Sequence, residues 1–362
     1  MPINDLHGAI RNRLEPAPDD ALLLRAAFAP AGEFAIRFAD WARAVDGAPP
    51  RNAYTLLQLL APRIGENDDH DALAVLCRRQ YRLVWAKTRL LERRHAAILD
   101  RFAGSGIACL VLKGPALQPL YYADPGLRAM GDLDLLVQPS QFCEALAWFL
   151  ARGWRSDQFA RPRRFDIRFG RAVSLVNTAG DLIDLHVHAF HQQAAWAAAP
   201  GLFWAHAQPL AIAGAATATL CAEHHLIHQI EHAIADQARN SRWIADGMML
   251  IRSGRIDWGR LIDHAETLGL AGLVSEGLQV LHAFGAEIPD AALARRPMGA
   301  VRIEAWHAID SRLGRLRFHA GALRDAAQRA GRWPLALLPA YLRFLAARRG
   351  LPGQHLAEAP AQ

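Results

Sequence analysis

Lysine is nearly missing from this chain. Only Lys87 and Lys113 are lysines among 41 basic residues, which leaves 39 arginines. Cysteine is also scarce: Cys77, Cys109, Cys143 and Cys221 lie tens of residues apart with no CxxC pair. That spacing argues against a zinc ribbon and against a secreted disulfide framework, and fits a reducing cytosol. No stretch reaches the roughly 18 unbroken apolar residues of a membrane span, and the N-terminus MPINDLHGAIRNRLEPAPDD has no apolar core of a signal peptide. A cytoplasmic protein without a transmembrane segment is the expectation.

What is present is ordinary globular material. Hydrophobic residues make up 52% and charged residues 21% of 362, so a disordered chain or a fibrous repeat is excluded. At about 150 residues per domain the length suggests two domains, or one with a helical extension. The formal charge of +6 is arginine-borne and points toward anionic partners such as nucleotides, RNA or acidic lipid heads, although many soluble enzymes carry as much.

Apolar residues recur at helical spacing in ALLLRAAFAP, AYTLLQLLAP and LAVLCRRQYRLVWAKTRLLERRHAAILDRF, so residues 1–103 read as a helical region. The texture changes at Gly104-Ser105-Gly106. A β-type run over 107–112 ends at Lys113-Gly114-Pro115, a short helix PALQPLYY follows, and GDLDLLV (131–137) reads as a second strand. A helix then opens after Pro139-Ser140 and runs to about Arg152. AVSLVN and DLIDLHVHAF flank Thr178-Ala179-Gly180 and read as a hairpin, giving four strands and two helices between about 105 and 190. Helical periodicity returns from about 217. The expected architecture is α+β: a small mixed sheet over 104–215 between an N-terminal helical region and a C-terminal one over 216–362.

The chemistry concentrates on two of these strands. Side chains two apart on a strand share a face, so Asp132 and Asp134 point the same way while Leu133 and Leu135 enter the core. Unpaired, two such carboxylates repel, and a hard divalent cation such as Mg²⁺ relieves them. Asp184, with His186 and His188 on its face, joins them if the two strands are neighbours. Lys113 and Gly114 at the preceding strand end suit a phosphate, because glycine admits close backbone approach and lysine supplies a point charge. Arg128 offers a fork for phosphate oxygens.

Blander readings stand beside each of these. Aspartates on an edge strand also serve as a solvated face that blocks aggregation, and a basic residue beside acids can simply neutralise them. His186 fits either the surroundings of a metal or a structural role, and His188 a structural one. His224, His228 and His232 fall at i, i+4 and i+8, a spacing open to zinc but more common on a buried helix face. RWPLALLPAYLRFLAARRG could lie on a membrane surface, but more often docks on its own protein.

The run LVLKGPALQPLYYADPGLRAMGDLDLLV, then DLIDLHVH, then LCAEHHLIHQIEHA, WIADGMMLI and DWGRLIDHAETLGL resembles the uncharacterised bacterial nucleotidyltransferase family within the DNA polymerase beta-type superfamily, over about residues 85–290. The resemblance implies a nucleotidyltransferase core in which Asp132, Asp134 and Asp184 bind magnesium or manganese and act in catalysis. Lys113, Gly114 and Arg128 would then contact a nucleoside triphosphate, with ATP among the donors. Where many superfamily members carry Gly-Ser or Gly-Gly, this chain has Lys113-Gly114-Pro115. The acceptor stays open between a small molecule, a peptide or protein side chain, and an RNA end.

Two enzyme alternatives fit less of the chain. A D-x-H-x-H metallohydrolase strand usually opens a barrel, yet here about 180 residues precede it and helices follow. A glycosyltransferase DxD expects a long nucleotide-binding α/β region before it, where this chain is helical. The non-enzymatic alternative is an inactive nucleotide-binding or interaction module, against which the intact set of aspartates argues.

Overall fold

The computed structural model describes residues 3–65, 71–235, 241–298 and 312–348. Helices α1 (Ile3–Leu14), α2 (Pro18–Phe28) and α3 (Phe34–Val45) lead in, with Pro18 and two aspartates in the first turn of α2, where an N-terminus favours them. AYTLLQLLAP, expected as an α-helix, instead forms successive 3₁₀ turns over 51–55, 57–59 and 61–63. Pro50 and Pro62 bracket the segment, and Pro62 lacks the N–H an α-helical turn would use. Leu56, Leu57 and Leu60 are nonetheless buried. Helix α4 (Ala72–Ala103) is 32 residues long and is capped by the Asp71 carboxylate, which accepts from the N–H groups of Leu73 and Ala74.

The sheet that follows has six strands in the order β3-β4-β2-β1-β6-β5. They are β1 (Cys109–Leu112), β2 (Leu133–Val137), β3 (Ala172–Val176), β4 (Leu182–His186), β5 (Gln208–Ile212) and β6 (Ala215–Thr219). The sheet is mixed: β2 runs antiparallel to β1 and parallel to β4, and β1 runs parallel to β6. The expected β3–β4 hairpin forms, with Gly180 at φ +78 in its turn. The β5–β6 hairpin is an addition to the four expected strands. Its alanine-rich sequence and Pro209 carry little strand propensity, and only its edge position and the Ala213-Gly214 turn, both at positive φ, permit it. Between the strands lie α5 (Lys113–Tyr121), α6 (Phe142–Ala151) and α7 (Ala199–Ala205).

The C-terminal helices are α8 (Ala222–Ala235), α9 (Arg242–Arg252), α10 (Trp258–Thr267), α11 (Ala271–Ala283), the single turn α12 (Asp290–Leu293), α13 (Arg312–Arg329) and α14 (Pro334–Ala347). Two cores clamp the sheet. On one face Leu110, Leu112 and Leu136 join Leu226, Ile230, Met248 and Leu281 with Ile10, Leu24 and Trp41, so the first and the later helices share one interior. On the other face Val111, Leu133, Leu135, Val173 and Ile183 meet Phe102 of α4, Phe149 of α6, and Leu337, Tyr341 and Phe344 of α14. The described residues of the RWPLALLPAYLRFLAARRG segment thus dock one face on the protein itself. No helix among the described residues is long and apolar enough to cross a membrane.

Candidate active site

Parallel pairing of β2 with β4 sets Asp134 beside Asp184, and antiparallel pairing of β1 with β2 sets Leu112 opposite Asp134. The residue after Leu112 is Lys113, which turns the chain from strand into α5 in the left-handed region, at φ +52. A non-glycine residue held there costs roughly 1–3 kcal/mol. That turn brings the ammonium onto the carboxylate: Lys113 Nζ donates to Asp134 Oδ1 at 2.7 Å. Asp132 sits just before β2, at the same end of the sheet.

His186, two residues along β4 from Asp184, places Nε2 at 2.9 Å from the same Asp134 oxygen. Its Nδ1 lies 3.1 Å from Arg171 Nη1, so the ring is held between a carboxylate and a cation. Ser174 on β3, the register partner of Asp184, donates its hydroxyl to Asp184 Oδ1. Asp134 and His186 are both buried. Among the described residues, Asp134, Asp184 and His186 are the His, Cys, Asp or Glu side chains whose donor atoms gather within 4.8 Å of one another.

The electrostatics of the carboxylates diverge. The Asp134 charge raises the Asp132 carboxyl to about 7, with burial and Asp184 adding to it. At Asp134 burial works against ionisation, but Lys113 and His186 overcome it and hold the group far below the usual carboxylate range. The Lys113 ammonium is disfavoured by burial yet held above its ordinary value by Asp134. Burial keeps His186 neutral, its value lowered. A cluster carrying three carboxylates against Lys113 and the Arg171 guanidinium behind His186, with two donors already on a single oxygen of Asp134, keeps a surplus of hard oxygens and so has the composition of a divalent cation site.

Arg128 takes a different place from the phosphate contact its sequence position suggests. Its Nε and Nη2 donate to Asp246 of α9 at 3.1 and 2.8 Å, while Nη1 reaches the Ala129 carbonyl at 2.9 Å. Tyr122 donates its hydroxyl to the same Asp246 at 2.6 Å. Gly114 lies against this guanidinium, and a Cβ at that position would clash with it. Asp246 escaped the sequence reading because its partners lie more than a hundred residues away on other elements. The acid within WIADGMMLI, on an otherwise apolar helix face, is the only trace the sequence leaves of it.

His188 leaves the site: its ring stacks on Trp196 with centroids 3.8 Å apart, and Nε2 faces the Ile167 carbonyl at 3.0 Å. A D-x-H-x-H metal site would need it beside Asp184 and His186. His224 and His228 are buried on α8, with His224 Nε2 at 2.8 Å from His264 Nδ1.

The sequence profile of the family described as uncharacterised nucleotidyltransferase matches residues 41–285, and the chain belongs to that family. Among solved structures it is similar to an antigenic nucleotidyltransferase-like protein from Paracoccidioides brasiliensis, at 17% identity and a TM-score of 0.35, covering 56% of this chain and 95% of that one. No curated protein matches.

Proposed function

We propose that the protein transfers a nucleoside monophosphate from a nucleoside triphosphate to an acceptor hydroxyl, releasing pyrophosphate. The observation that carries this reading is the register that sets Asp134 against Asp184, with Asp132 at the same sheet end and Lys113 on Asp134. The donor chemistry fits Mg²⁺ or Mn²⁺: Asp132, Asp134 and Asp184 supply hard oxygens, and His186 orients Asp134 from behind. A bound divalent ion supplies charge neutralisation at the α-phosphate and a lowered pKa for the attacking hydroxyl.

The chain's own residues supply the rest. The N–H of Gly114 and the other amides opening α5 offer donors to the triphosphate, and Lys113 offers a cation. Pro115 withholds one donor. Arg128, tied to Asp246, fixes the floor beneath Gly114. In the transfer the acceptor oxygen bonds the α-phosphorus as the bond to pyrophosphate breaks. The hydroxyl proton passes to Asp184, whose carboxylate Ser174 holds in place.

The test is a transfer screen with each α-labelled nucleoside triphosphate and Mg²⁺ or Mn²⁺, beside an Asp132→Asn/Asp134→Asn variant. Pyrophosphate release or labelling that disappears in the variant is the expected result. Equal transfer by the variant, or wild-type protein that binds no nucleotide with or without metal, would overturn the reading and favour an inactive module.

A further inference from the structure

Helix α4 carries seven arginines and lysines between residues 72 and 99 against the single carboxylate Glu92, which is buried. Arg79, Arg82, Lys87, Arg89, Arg93 and Arg94 are all exposed. Of these six, Arg89 pairs with Glu92 and Arg94 with Asp181, while no ion pair among the described residues involves Arg79, Arg82, Lys87 or Arg93. Arg82, Trp85, Arg89 and Arg93 follow the three-and-four spacing of one helix ridge, and the Trp85 indole is 45% exposed. An exposed tryptophan set between cations is a poor solvated face and a good stacking platform for a base.

Other faces of the helix tie it to the elements that carry the acids. Tyr81 of α4 donates to Asp124 at 2.6 Å, Thr88 to the Arg128 carbonyl at 3.4 Å, and Arg94 pairs with Asp181 at 3.1 Å. Asp181 immediately precedes β4, the strand that carries Asp184 and pairs with β2. The span from Arg79 to Arg94 is about 22 Å at the helical rise, room for several successive phosphates. An anionic membrane would also answer the charge, but interfacial helices present a continuous apolar strip flanked by cations. Here the large exposed aliphatics of the helix are Val75, Leu83 and Leu90, and cations flank Trp85 on its own ridge.

We infer that the outer face of α4 docks a single-stranded nucleic acid and leads its terminal hydroxyl to the Asp132–Asp134–Asp184 site. This rests on the nucleotidyl-transfer reading for the chemistry: the terminal hydroxyl oxygen bonds the α-phosphorus, pyrophosphate leaves, and the proton passes to Asp184. The docking itself does not depend on that reading.

The experiment is fluorescence anisotropy of labelled oligouridine and oligothymidine with the full chain, without nucleotide, between 50 and 200 mM KCl. Three or four phosphate contacts give a log–log salt slope of about −2 to −3, an affinity loss of about 15- to 60-fold across that range. Arg82→Glu/Arg93→Glu weakens binding about tenfold or more and flattens the slope by about 1.4, for two lost contacts. Trp85→Ala weakens it about tenfold with the slope unchanged. The oligonucleotide bound better names RNA or DNA as the strand. Absent or salt-insensitive wild-type binding would overturn the inference, as would indifference to both α4 variants, or phosphatidylglycerol vesicles binding through these residues where oligonucleotides do not. Binding as described, with no pyrophosphate released from any triphosphate, would instead sink the transfer reading and leave the docking face standing.

Discussion

Two buried polar clusters lie either side of Gly114, and they differ in how their charge is closed. Around Asp246 every demand is met by protein: Arg128 binds it through two nitrogens and Tyr122 adds a hydroxyl. Around Asp134, Lys113 and a neutral imidazole backed by Arg171 face three carboxylates, and Asp132 answers by taking up a proton near neutrality. A closed cluster positions backbone. Both contain an Asp and a cation, so residue type alone does not tell them apart; only the second holds carboxylates in excess, which is what the proposed cation site needs.

Breaking the closed side carries the largest expected effect. Arg128→Met strands the Asp246 carboxylate in the interior, which costs about 3–5 kcal/mol by chemical denaturation. Arg128→Met/Asp246→Leu recovers most of that loss, because it removes the charge along with its partner. Equal destabilisation by the single and double variants would refute the pairing as the cause.

On the open side, His186→Asn leaves the fold intact and weakens Mg²⁺ or Mn²⁺ binding by about 10- to 100-fold in calorimetry, since the ring only orients Asp134. Unchanged metal affinity would remove His186 from the site.

The smallest effect per group comes from acid. Burial lowers His224 and His225 of α8 to about 3, against 6.5 in the unfolded chain. Their neutral forms therefore contribute stability that is full above pH 6.5 and lost as pH falls toward 3, each by up to about 1.4 kcal/mol per pH unit. Denaturant midpoints measured from pH 7.5 to 5 should fall steadily, and His225→Gln, if it folds, should shallow that slope. A flat profile would show that these rings are wetter than their burial implies.

The open cluster was the legible one. Alternation in GDLDLLV and DLIDLHVH exposes its acids to reading because a strand sorts side chains by parity, and both strands formed where expected. The β5–β6 hairpin was not legible, since alanine and Pro209 give no strand signal and its pairing with β1 is decided by tertiary packing. Nor was the closed cluster: Arg128 and Asp246 are 118 positions apart, and nothing local marks them as partners. Arg128 read alone looked like a phosphate ligand for that reason. The basic content of α4 was visible in composition, but which cations share a ridge with Trp85 required knowing which side of the helix the core covers.

The shared interior of the first and later helices also constrains how the protein is made. His7 and Arg11 reach Glu276 of α11, and Ile10 is buried among residues that far along the chain. At about 5–20 residues per second of synthesis, α1 emerges roughly 15–50 s before the helix it binds. The N-terminal helices thus cannot complete their core until about three quarters of the chain has been made, and the face of α1 that meets α11 stays uncovered for that interval.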